Sequence, residues 1–186
     1  MIRRNDSPAC DLRMKLQAQS LEEAGYDVYQ LFFNYINGLQ ILMVHDGKET
    51  TWSQEDNISY LYGVYMENYF YTILVKKYLK NHMEYKAVLS LLDKDIDMIH
   101  AYNFDTLSLG LKLKKHFKCK IIYDMREYYA QMDSQNFKGV VYEWYLWLDR
   151  QVCRRSDWIF VTDNNAIKSI GNFVNGDGKL ENSIDD

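Results

Sequence analysis

Apolar residues fall along the chain in two rhythms, one helical and one of short runs. Met14, Ala18, Leu21 and Gly25 recur at helical spacing. Ser7 and Pro8 supply an N-cap and a first helical residue whose missing N–H costs nothing. A helix from Pro8 to Ala24 is therefore predicted, ended by Gly25, a residue suited to positive φ just past a C-terminus. Tyr26 to Phe33 follows as a strand rich in β-formers. Asn37-Gly38 marks a turn, Leu39 to Val44 a second strand, and His45-Asp46-Gly47 closes it. Ser53 and Asp56 resemble a capping box ahead of a long helix from Ile58 to His82, with a shorter helix from Tyr85 to Leu92.

Beyond that point the rhythm becomes regular. Strands are predicted at Met98 to Ala101, Lys120 to Tyr123 and Trp158 to Val161. Helices are predicted at Thr106 to Phe117, Phe137 to Arg155 and Asn164 to Phe173. Short buried strands alternating with helices imply an α/β fold, a Rossmann-like parallel sheet with helices on both faces. Strands at 27–33, 98–101, 120–123 and 158–161 should lie parallel. Residues 176–186 form a polar, acidic tail expected to be without fixed structure.

Composition narrows the function classes. Nearly half of the 186 residues are apolar (47%), enough for one domain with a real core. The formal charge of −4 argues against a general nucleic-acid binder, which needs a basic excess to neutralise phosphates. No apolar run reaches the ~18 residues that span a bilayer, and Met1 to Asp6 holds no apolar signal region. Cys10, Cys119 and Cys153 are odd in number and far apart, which suits reduced thiols in the cytoplasm. His45, His82 and His116 stand at no metal-ligand spacing.

In parallel sheets ligands sit at the carboxyl ends of strands, so the residues just past each strand carry the chemistry. Three stretches stand there: Asp97 to Leu107, Lys120 to Glu127, and Leu148 to Thr162. In this order and spacing they resemble the N-terminal domain of glycosyltransferase family 4, retaining sugar transferases of the GT-B fold. Asp97-Met98-Ile99-His100-Ala101-Tyr102-Asn103 resembles the family's D-x-x-H-A-H pattern, and Tyr123-Asp124-Met125-Arg126-Glu127 its Y-D-x-H-E. Asp11-Leu12-Arg13 resembles its D-P-R, and Gly25-Tyr26-Asp27-Val28 its G-H-x-V. The likeness covers residues 5 to 175.

That resemblance implies an acceptor-side domain, working with a donor half on a glycan or lipid-linked acceptor. The cleft candidates it names are His100, Asn103, Asp105, Asp124, Arg126 and Glu127. His100 reads either as a cleft residue or as a hydrogen-bonded histidine beneath a loop. Asp124 and Glu127 are placed to orient an acceptor hydroxyl or to cap a loop or helix. Asp105 reads first as the N-cap of the helix from Thr106. Two departures matter: Tyr102-Asn103 stands where the family reads H-D, and Arg126 stands where it has a histidine. Arginine is no base near neutral pH, although its planar fork suits a phosphate or carboxylate.

The family's donor domain would begin near Phe173, so residues 1–186 are expected to bind no nucleotide-sugar, to need no cofactor and to be inactive alone. A partner chain could supply that half. The alternative is a non-catalytic interaction module or a fragment of a transferase. Tyr142 to Leu148, with Arg150, Arg154 and Arg155 nearby, reads as core or as a peripheral contact with a partner or the inner membrane face. Only Met1 to Asn5 precede Ser7, so a stub strand over Met1 to Arg4 is expected, with Ile2 inward. A concave, partly aromatic surface is expected around Tyr102, Asn103, Arg126, Glu127 and Tyr128.

Overall fold

A computed structural model of the chain describes residues 1–4, 12–35, 38–54, 69–92, 94–125, 143, 147, 150, 151, 153–161 and 180–182. The chain divides into two compact units, Met1–Asp95 and Ile96–Asp186. The α/β class and mostly parallel pairing expected from the sequence are present in it.

The first unit contains β1 (Ile2–Arg4), α1 (Leu12–Glu23), β2 (Tyr29–Asn34), β3 (Leu39–His45), β4 (Lys48–Gln54) and α2 (Tyr69–Leu91). Its strands lie in the order β4-β3-β2-β1. The stub strand forms: Ile2 pairs in parallel with Leu31 and is buried. α1 ends as Gly25 predicts. Gly25 takes φ 88° and the Tyr26 amide donates to the Leu21 carbonyl, the long closing bond of a Schellman turn.

Two parts of this unit differ from the sequence reading. Ser53 caps no helix; it lies in β4, which pairs antiparallel with β3 along its whole length. The cause is the turn at Asp46-Gly47, both with positive φ (50° and 68°), the mirror-image geometry that suits the twist of a two-residue hairpin. β3 in turn runs antiparallel to β2, so a meander extends the parallel pair. The break expected between His82 and Tyr85 is also absent, because α2 runs through it. Asn81 and Glu84 are polar, yet both are buried within α2. Glu84 accepts a hydrogen bond from the Tyr35 hydroxyl at 2.5 Å, which joins α2 to the end of β2.

The second unit contains β5 (Met98–Tyr102), α3 (Asn103–Phe117), β6 (Lys120–Met125), β7 (Trp158–Val161) and β8 (Leu180–Asn182). Its strands run in the order β5-β6-β7-β8, every pair parallel. β8 lies within the stretch expected to be a structureless tail. Ile99, Ala101, Ile121, Tyr123, Met125, Ile159 and Val161 form one buried face of this sheet. α3 packs on β5 and β6 and buries Thr106, Leu107, Leu109, Gly110 and Leu113, a stripe at helical spacing. Helical residues also stand at 143, 147, 150, 151 and 153–155, ahead of β7.

Candidate functional site

Parallel register brings the candidate residues of the second unit together. Asp124 on β6 pairs with Tyr102 on β5 and with Phe160 on β7. Side chains alternate faces along a strand, so His100, two residues before Tyr102, shares that face. The four side chains meet near the carboxyl ends of the strands. His100 Nε2 stands 3.4 Å from Asp124 Oδ2. The imidazole stacks on Tyr102 with centroids 4.5 Å apart and planes 7° apart, and meets the edge of Phe160 at 5.9 Å. The histidine side chain is 8% exposed and the Asp124 side chain is fully buried.

These facts divide the work between the two residues. A sealed carboxylate meets no substrate directly. It lies 3.4 Å from the imidazole and helps to orient it. Tyr102 and Phe160 confine the ring. Phe160 carried no signal in the sequence; its role follows only from register with Asp124.

The chain then turns from β5 into α3 at Asn103. This residue has φ 62°, a left-handed conformation that asparagine tolerates better than most residues. Its side-chain oxygen is buried and has no hydrogen-bond partner among the described residues. Because the turn is immediate, the N-cap position belongs to Tyr102 and not to Asp105. The Thr106 hydroxyl donates to the Tyr102 carbonyl at 2.5 Å and reaches the Asn103 carbonyl at 3.2 Å, fixing this first turn from within. Asp105 is the third residue of α3, and its side chain lies outside the described ones. Arg126, Glu127 and Tyr128 also lie outside the described residues, as do most of Tyr142 to Leu148.

A second polar cluster lies in the first unit. Asp27 Oδ1 stands 2.5 Å from His45 Nε2, and its Oδ2 accepts from Lys94 at 3.2 Å and from the Tyr29 hydroxyl at 3.3 Å. Tyr29 stacks flat on His45 at 4.0 Å. The hydrogen bond from His45, then that from Lys94, hold the Asp27 carboxyl below its usual range. This exposed clamp ties the start of β2 to the end of β3 and to Lys94. Cys119 and Cys153 are buried free thiols, and burial pushes the Cys119 thiol up, away from reactivity.

Among the described residues no group of three His, Cys, Asp or Glu side chains is placed to hold a metal ion, and no helix is long and apolar enough to cross a membrane. No model of a known protein family and no curated protein matches the chain.

Proposed function

We propose that this chain is the acceptor-side half of a GT-B sugar transferase, and that it recognises a glycan or lipid-linked acceptor at the carboxyl ends of β5 and β6. The observation that carries the reading is the His100–Asp124 pair, enclosed by Tyr102 and Phe160, at the strand ends where parallel sheets bind ligands. Asn103 adds a strained backbone and a buried carbonyl oxygen beside it. A sugar hydroxyl has both a proton to donate and lone pairs to accept, so an imidazole edge and an amide oxygen are suitable partners. Tyr102, itself fully buried, backs the imidazole by stacking on it. Asp124 acts through His100 as a positioning residue.

Transfer itself needs a donor-binding domain to close over the acceptor, exclude water and align the reacting atoms. Residues 1–186 on this reading bind acceptor and leave the nucleotide-sugar to that domain, on a partner chain or elsewhere in the protein. Arg126, in sequence just past β6, would give preference for an acceptor bearing phosphate or carboxylate. The same substitution favours a second reading, an interaction module that binds glycans without transfer.

A glycan array probed with the full chain tests the proposal. The expected result is capture of a limited set of glycans, lost with His100→Ala and with Asn103→Ala. Capture of none, or the same capture by both variants, would overturn it.

A further inference from the structure

The opposite end of the second unit's sheet holds a different kind of surface. α3 finishes at Phe117, Lys118 turns the chain in a left-handed conformation (φ 55°), and Lys120 opens β6. Helical residues 153–155 end just before β7. Between these two helix ends lies an open concavity of about 680 Å³, lined by Leu111, Lys114, Lys115, Lys118, Cys119, Arg154 and Arg155. Its volume falls in the range of small-molecule sites, about 300–1,000 Å³.

The lining combines five cations with an apolar floor of Leu111 and Cys119. Lys114 is occupied: it bonds Asp157 Oδ2 at 2.6 Å and the Arg155 carbonyl at 2.9 Å. Lys115, Lys118, Arg154 and Arg155 form no ion pair among the described residues, and all four are exposed. Cations near helix C-termini are ordinarily explained by the helix dipole, worth about half a negative charge at each end. Two helix ends and the single Asp157 carboxylate together fall well short of five positive charges. The excess is concentrated in a chain whose formal charge is −4, so it is local and not a property of the whole surface.

We infer that this concavity binds a ligand carrying several phosphate groups, with Lys115, Lys118, Arg154 and Arg155 as the recognising side chains. Arginine forks and lysine ammonium groups satisfy phosphate oxygens by charge-assisted hydrogen bonds, and a concave wall concentrates their field. Lys114 positions the Arg155 segment and contributes charge without leaving Asp157. The shared chemistry is the phosphate cluster, whether on a soluble molecule or on anionic lipid headgroups.

The test uses the full chain with two probes: inorganic tripolyphosphate in calorimetry, and phosphatidylglycerol vesicles in sedimentation, with phosphatidylcholine vesicles for comparison. Lys118→Glu with Arg154→Glu should weaken binding at least about tenfold, and Lys118→Gln with Arg154→Gln by less. Lys15→Glu with Lys48→Glu changes the net charge equally in the first unit and should leave binding within about twofold. Binding should fall as salt rises. Tripolyphosphate binding assigns a soluble ligand, and phosphatidylglycerol binding alone assigns a lipid headgroup. If neither probe binds, or the Lys15/Lys48 variant loses as much as the Lys118/Arg154 variants, the inference is overturned.

Discussion

Asp157 and Ile121 bond each other in both directions. The Ile121 amide donates to Asp157 Oδ2 at 2.8 Å, and the Asp157 amide donates to the Ile121 carbonyl at 3.0 Å. Lys114 binds the same carboxylate oxygen, and Lys120 lies 3.5 Å from the other. One aspartate thus sets the register of β7 against β6 and ties both to α3. That register in turn carries Phe160 to Asp124 at the other end of the strands.

Burial raises the Asp157 carboxyl pKa, but the Lys114 and Ile121 hydrogen bonds outweigh it and hold the group below its usual range. A carboxyl depressed in the folded state adds stability above its unfolded pKa of about 3.9, and loses it as pH falls through the lowered folded value. Asp157→Asn should therefore destabilise the chain at neutral pH by about 1–3 kcal/mol. The penalty should shrink below about pH 4. Chemical denaturation of both proteins at pH 7 and at pH 3 measures the difference.

Gly25→Ala tests the helix stop. A Cβ there meets nothing within 4 Å, so the whole cost is the positive φ of 88°. The expected loss is about 1–2 kcal/mol, seen as a melting temperature lower by a few degrees. An unchanged melting temperature would remove the left-handed stop from the account of α1.

Tyr35→Phe removes the hydroxyl that donates to Glu84. Glu84 is fully buried, so its carboxylate loses a donor it cannot replace from water. A loss of about 1–3 kcal/mol is expected in equilibrium unfolding. Phe at the same site keeps the ring under Lys80 Nζ, which lies 4.0 Å from its centroid, so the change isolates the hydrogen bond.

Strands β5, β6 and β7 were legible because their inward faces are apolar and buried, whereas β8 lay in a polar stretch without such a run. Ile99 to Ala101, Ile121 to Tyr123 and Ile159 to Val161 read as short apolar runs, and the observed strands match or extend the expected ones by two residues at most. β4 was not legible. Lys48 to Thr51 are exposed and polar, so no apolar run announces a strand that exists by pairing with β3. The unbroken α2 was hidden for the opposite reason, polar residues placed inside. Of the candidate site, His100 and Asp124 were read from motif order, and the structure brings them together. The aromatic enclosure by Phe160 needed the register. The start of α3 was misplaced because Asp105 is a good cap by type, while a left-handed Asn103 lets the helix begin earlier. Of the cation cluster, Arg154 and Arg155 were noted in the sequence, but the lysines of α3 that join them were not, since the two segments are far apart in sequence.

Asp124→Asn keeps the volume of the side chain and removes the charge beside His100. The side-chain shape is unchanged, so the fold should be retained. Acceptor affinity should fall by about tenfold, the size expected for losing one charge-assisted contact. Circular dichroism and titration with a glycan captured by the wild type measure the two quantities separately.

Histidine ring resonances offer the most direct test of the acceptor site. The chain has four histidines, His45, His82, His100 and His116, so three serve as internal controls. In a titration of nitrogen-15-labelled chain with neutral and acidic oligosaccharides, the account predicts a saturable shift of the His100 ring signals. The Asn103 amide should shift at the same ligand concentration, while the other three rings stay still. If binding saturates while His100 and Asn103 do not move, or if His45 moves in their place, the ends of β5 and β6 are not the acceptor site.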